Sequence, residues 1–223
     1  MMTNLFSVFD PSSSVTSLPM NWVSVIVGVG ILPLCFWKGP SRGAVLYGRL
    51  EKGLNQEMGV LLGASRRTWA VTFLALFLLI VLNNSLGLLP YVFTASSHLV
   101  FTASLALPLW LGYFMKGWVK NTTHMLAHLV QQGTPGALMG FMVLIESVSS
   151  VIRPGTLAVR LAANMIAGHL LLTLLSGAIS LASVTSMVAI LVSQVALLVL
   201  EAAVAAIQAY VFAVLSTLYA SEV

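Results

Sequence analysis

Charge is scarce in this sequence. Of its 223 residues, 7% are Asp, Glu, Lys or Arg, against 59% hydrophobic. Soluble domains carry about 25% charged residues, so a chain of this composition cannot coat a globule with a water-compatible surface. A mean hydropathy of +1.00 points the same way. A soluble domain is excluded, and what remains is an all-α polytopic membrane protein, because helices satisfy their own backbone polar groups in lipid. Cysteine is nearly absent: Cys35 stands alone, so no intrachain disulfide can form. The stretch Met1 to Pro19 lacks any basic residue. It resembles neither an Arg-rich transit peptide nor a positively headed signal peptide. Insertion then relies on the first apolar segment, or the protein is made in the compartment where it works. No internal repeat is visible, which speaks against the repeat-built secondary transporters.

The few charges that exist are unevenly placed. Lys38, Arg42, Arg49, Lys52, Arg66 and Arg67 share one polar stretch after the first apolar segment. The positive-inside rule keeps that stretch on the side from which the chain inserts and sends the N-terminus across. Their chemistry could suit nucleic acid, but the rest of the chain demands lipid, and no nucleic-acid partner is expected. Val45, Leu46, Leu50, Leu54, Met58, Leu61 and Leu62 recur among the charges. Several fall at helical spacing, which predicts an amphipathic helix on the membrane surface.

The organisation read from these runs is one membrane-embedded domain over 1–223. Residues 20–38 are the first membrane helix, with Pro33 a possible kink; 39–67 are the amphipathic surface segment; 69–223 are a helical core. Within that core the runs are Trp69 to Val92, interrupted by Asn83-Asn84-Ser85, then Leu99 to Met115, Gly136 to Leu175 and Met187 to Tyr219. Trp110, Tyr113 and Trp118 suit an interfacial belt. Asn121 to Pro135 is a polar connection holding His124 and His128. Five or six helices are predicted.

Arg160 lies in the middle of an apolar run, Leu157-Ala-Val-Arg-Leu-Ala-Ala-Asn164-Met-Ile-Ala-Gly-His169. An arginine at bilayer depth costs roughly 2.5–3.5 kcal/mol on insertion scales, and its guanidinium cannot shed its proton to escape. Apolar neighbours on both sides leave little chance to snorkel. Glu146, Arg153 and Arg160 recur every seven residues, near one stripe of a helix that Pro154-Gly155 could bend. Along a straight helix Glu146 is about 21 Å from Arg160, and His169 about 13–14 Å beyond it on nearly the opposite face. In the last run Glu201, Gln208, Leu215 and Glu222 also fall every seven residues. Glu201 and Glu222 are then about 31 Å apart, roughly one hydrocarbon thickness. Carboxylates and histidines exchange protons, whereas arginine effectively does not. The pattern suggests two aqueous half-paths separated by a fixed positive charge. Ala202, Ala205, Ala206, Ala209 and Ala213 add a small-residue face on the last helix, suited to close helix approach.

The residue blocks that carry this chemistry resemble a known family. They are Ala127-His-Leu-Val-Gln-Gln-Gly-Thr-Pro135, Ile145-Glu-Ser-Val-Ser, Ile152-Arg-Pro-Gly-Thr-Leu-Ala-Val-Arg-Leu-Ala-Ala-Asn-Met-Ile-Ala-Gly-His169 and Ile207-Gln-Ala-Tyr-Val-Phe-Ala-Val-Leu-Ser-Thr-Leu-Tyr219. Over essentially its whole length the chain resembles subunit a of the F-type ATP synthases in its animal mitochondrial form. The resemblance implies a non-catalytic proton-translocating stator subunit of the inner membrane, without cofactor or nucleotide site. Its implied partners are a rotating c-ring of proteolipids, the peripheral stalk, small membrane subunits and lipid. Arg160 would be the essential arginine facing the ring, and Gln208 the glutamine beside it, with Asn164 as a supporting polar residue. His169 and Glu201 would line the intermembrane-space half-channel, and Glu146 and Glu222 the matrix half-channel. Bacterial relatives exchange acid and histidine at the positions of His169 and Glu201, so the pairing here fits the mitochondrial form. Arg153 is glutamine in some relatives and is given no catalytic role.

Two other classes fit the composition. One is a self-contained secondary proton or ion transporter. The other is a haem-binding subunit, which needs paired histidines on facing helices. His124 and His128 share a face if their segment is helical, but no third ligand is evident nearby.

Overall fold

The computed structural model describes residues 9–12, 19–30, 39, 41–63, 69–89, 92–120, 122–130, 138–179 and 183–222, with the side chains of His124, His128, Val184 and Glu222 outside that set. Lys38, Arg66, Arg67, Cys35, Pro33 and Gly136 also lie outside it. Every regular element among the described residues is helical. In chain order these are α1 (Val23–Gly30), α2 (Arg42–Leu62), α3 (Ala70–Gly87), α4 (Leu99–Lys120), α5 (Thr122–Leu129), α6 (Met139–Ile179) and α7 (Val184–Glu222), with short 3-10 turns at Met20–Trp22 and Ala95–Ser97. Four of these, α3, α4, α6 and α7, are long and apolar enough to cross a membrane. The protein is an all-α polytopic membrane protein.

Local chemistry explains the boundaries. Ser41 caps α2 by accepting the Ala44 N–H at 3.3 Å. Gly63 closes the same helix with φ of +75°, a conformation that favours glycine. The histidine-bearing polar connection contains the short helix α5. Helix α6 runs through Pro154-Gly155 without a break. Pro154 lacks an N–H and is buried in the bundle, and the Thr156 hydroxyl donates to the Arg153 carbonyl one turn away, at 2.9 Å.

Helices α6 and α7 hold 41 and 39 residues. Each is therefore about 60 Å long, twice the ~30 Å hydrocarbon core. Neither fits upright, so both must tilt steeply or project beyond the bilayer. Helix α7 packs against α3, α6 and α2, while α6 also packs against α4. One core joins Ile80, Ala106, Leu157, Ala158, Leu161, Ala209 and Phe212. A second joins Met58 and Leu62 of α2 to Ala70, Phe73, Ala213 and Ala220. Both cores use the C-terminal half of α7. Its most apolar stretch is almost wholly unburied within the chain, as befits a surface turned to lipid or another subunit.

The two asparagines of the polar break in α3 face protein, whereas Ser85 is exposed. Asn84 is fully buried and donates through Nδ2 to the Ala205 carbonyl of α7 at 3.3 Å. Asn83 donates back to the Leu79 carbonyl at 2.8 Å. The small-residue face of α7 divides: Ala205, Ala209 and Ala213 are buried inside the chain, whereas Ala202 and Ala206 are exposed. Part of the contact surface expected for a partner is thus used within the chain. The amphipathic segment, α2, lies along α3 and α7, where the Tyr210 hydroxyl donates to Glu57 Oε2 at 3.4 Å.

Candidate functional site: a polar seam between α6 and α7

Three contacts set the register of α6 against α7. The Arg153 guanidinium lies 6.0 Å over the Tyr219 ring. Asn164 Nδ2 donates to Gln208 Oε1 at 3.3 Å. Gly168 faces Glu201 so closely that a Cβ there would lie 2.7 Å from Glu201 Cδ and Oε1. The step from Arg153 to Asn164 along α6 is matched by that from Tyr219 to Gln208 along α7, and Gly168 against Glu201 continues the same order, so the two helices are antiparallel. The sequence-predicted residues thereby sort into two ends and a middle.

At one end Glu146 and Arg153 form an ion pair, Nη2 to Oε1 at 2.9 Å, both side chains about one-third exposed. The seven-residue spacing read from the sequence brings them together, two turns apart on one stripe. A cavity of about 180 Å³ opens beside the pair, lined by Trp110, Tyr113, Trp118 and Tyr219 among others. The aromatics assigned to an interfacial belt thus also wall this cavity. Glu222 closes α7, and the register brings its backbone to this same end; its side chain lies outside the described residues.

At the other end His169 is half-buried and lines a cavity of about 810 Å³ with Asn21, Ser24, Thr173, Ser176 and Gln194. Among the described residues its Nε2 is buried without a hydrogen-bond partner, and so is Glu201 Oε1. Glu201 sits against Gly168, one residue from His169, although it does not line that cavity. In a membrane such orphaned atoms are costly, which marks a place suited to water or to a proton in transit. The Phe9 ring packs edge-on to His169, with centroids 6.3 Å apart. Just beyond it, outside the membrane spans, the Ser12 N–H and hydroxyl hold the Asp10 carboxyl below the usual carboxylate range.

Between the ends stands Arg160. It is exposed on the outer face of α6, with no hydrogen bond or ion pair among the described residues. Asn164, one turn on, is exposed on the same stripe and ties it to buried Gln208. Gln208 Nε2 has no hydrogen-bond partner among the described residues. A cation on the outside of an apolar hairpin needs a counter-charge from beyond the chain.

Sequence reasoning quoted Gly168 within a motif without giving it a task. Its task is steric, and only the cross-helix register exposes it: a glycine opposite an acid in a close antiparallel pair is the available signal. Phe9 carried no signal at all.

Four spanning helices with an arginine, carboxylates and a histidine strung along one antiparallel seam define a multi-pass membrane protein with ionisable groups at membrane depth. The comparisons with known proteins make the class specific. The family model of the ATP synthase A chain matches residues 18–221. The ATP synthase subunit a of Anopheles gambiae is 56% identical over 225 aligned residues, covering 100% of both chains. Those of Locusta migratoria and Drosophila mauritiana, also covered at 100% with this chain, are 52% and 55% identical over 224 residues. The chain belongs to the ATP synthase subunit a family.

Proposed function

We propose that this chain is the proton-conducting stator subunit of an F-type ATP synthase membrane sector. In this reading it is a single membrane-embedded unit of the mitochondrial inner membrane, non-catalytic and without a nucleotide site. It works against a ring of proteolipids, beside peripheral-stalk and small membrane subunits. The observation that carries the reading is the exposed Arg160, without an ion pair among the described residues, lying along α6 between two separate cavities, one lined by Glu146 and the other by His169.

The mechanism follows from electrostatics. A proton enters along the His169–Glu201 end and neutralises a carboxylate on a ring subunit. The neutral site can rotate through lipid, whereas a charged one bears the desolvation cost. After nearly a full turn the site reaches the Glu146–Glu222 end and loses its proton. The anion then meets Arg160, whose attraction is strong where water is excluded. The same fixed charge repels protons and keeps the two ends from short-circuiting. Gln208 and Asn164 hold α7 beside the arginine. The membrane potential contributes ~2.3 kcal/mol per charge per 100 mV.

Arg160→Ala tests this. Coupled ATP synthesis should vanish in complexes that still assemble, with passive proton leak unchanged or raised. Substantial synthesis in the assembled variant would refute the role.

A further inference from the structure

His169 has no side-chain hydrogen bond among the described residues, so none of them fixes its ring by hydrogen bonding. What packs on it is Phe9, near perpendicular at 86° with centroids 6.3 Å apart. That distance and angle belong to the favourable edge-to-face class of aromatic pairs. Phe9 is half-buried there, although it precedes His169 by most of the chain.

The segment carrying Phe9 is held in place by its own polar contacts. Asp10 Oδ1 accepts from the Ser12 N–H at 3.0 Å and from the Ser12 hydroxyl at 2.8 Å. This is a local Asx-type turn, and Pro11 inside it restricts the backbone further. Asn21 Nδ2 then donates to the Asp10 carbonyl at 3.2 Å. Asn21 itself lines the large cavity together with His169. The turn is therefore tied to the cavity wall, and Phe9 is presented to the imidazole from that anchored turn.

We infer that Phe9 is a positioning residue: the Phe9–Ser12 turn, tied to Asn21 of the cavity wall, sets the phenyl ring against His169 and orients the imidazole for proton exchange with Glu201 or with water. This rests on the proposed access path through His169. A histidine that relays protons must offer one nitrogen inward and one outward. A ring free to rotate spends less time in that pose, and an aromatic wall on one side restricts the rotation.

The test is a double-variant cycle on proton flux, in membranes matched for assembled complex. The set is wild type, Phe9→Ala, Phe9→Tyr, His169→Gln, and Phe9→Ala with His169→Gln. Phe9→Ala should lower flux by about two- to tenfold, the range that an aromatic pair of this kind supports. Phe9→Tyr, which keeps the ring, should retain flux near wild type. The double variant should be no slower than His169→Gln alone, because the positioning effect has lost its target. Wild-type flux in Phe9→Ala would overturn the inference. So would an undiminished Phe9→Ala effect in the His169→Gln background, or failure of Phe9→Tyr to preserve flux. Each of those leaves the His169 path standing. Wild-type flux in His169→Gln would instead remove the path, and this inference with it.

Discussion

The two ends of the α6–α7 seam are built differently. Glu146 is already matched with a cation at 2.9 Å in a small aromatic-walled cavity. Among the described residues, His169 Nε2 and Glu201 Oε1 are buried without a hydrogen-bond partner, and His169 lines a cavity more than four times larger. Unpaired groups beside a roomy cavity suit a place where protons are collected through water. Along α6, Arg160 is about 21 Å from Glu146 and about 12 Å from Gly168. Arg160 therefore lies between the two ends along the helix. This asymmetry fits the two half-paths of the proposed function.

The comparison can be broken from the collecting end first. Glu201→Leu should cut proton flux about tenfold or more in an assembled complex, since a positioned proton-exchanging group is lost. Reconstituted vesicles with a pH-sensitive dye would read this, and wild-type flux would reduce Glu201 to a packing residue. Gly168→Ala is gentler. The new methyl meets the flexible end of the Glu201 side chain, so the helices should pack and assemble while the carboxylate is displaced. Flux should fall several-fold with stability nearly unchanged. Loss of assembly without a specific flux defect would make Gly168 a packing glycine only.

At the Glu146 end, Glu146→Gln keeps a hydrogen-bond acceptor for Arg153 but cannot exchange a proton. Its effect should be a few-fold slowing, smaller than that of Glu201→Leu. Equal or greater loss in matched membranes would reverse the ranking of the two ends. Altering no residue at all, protease protection in sealed mitochondria tests orientation. Segment 39–67 should resist cleavage from outside an intact inner membrane, and the N-terminus should be accessible. Cleavage of that segment from outside would invert the assignment of the ends.

Much of this was legible in the sequence because lipid simplifies the code. The apolar runs announced α3, α4, α6 and α7, and Asn83 and Asn84 face protein as polar residues at that depth should. The spacing of Glu146 and Arg153 placed them on one stripe, and the structure joins them. It did not reveal that Pro154-Gly155 would sit inside an unbroken helix, because burial of Pro154 depends on how α6 packs. Gly168 was obscure because its neighbour Glu201 is distant in sequence and the register is set by tertiary contacts. Phe9 was obscure for the same reason, more acutely. The alanine face was read as a single surface, but α3 claims Ala205 through the Asn84 bond and leaves Ala202 and Ala206 outside. Local pattern identifies which residues are polar at membrane depth; only packing says which of them meet.

The central claim is that Arg160 acts as a permanent charge between two half-paths. Its most direct test is Arg160→Lys, with coupled ATP synthesis and passive proton leak measured in membranes matched for assembled complex. Lysine retains a positive charge in water, but it can lose its proton when buried and lacks the planar fork of donors. The account predicts that coupled synthesis collapses with lysine as it does with alanine. Near-normal coupled synthesis with a tight membrane would contradict it.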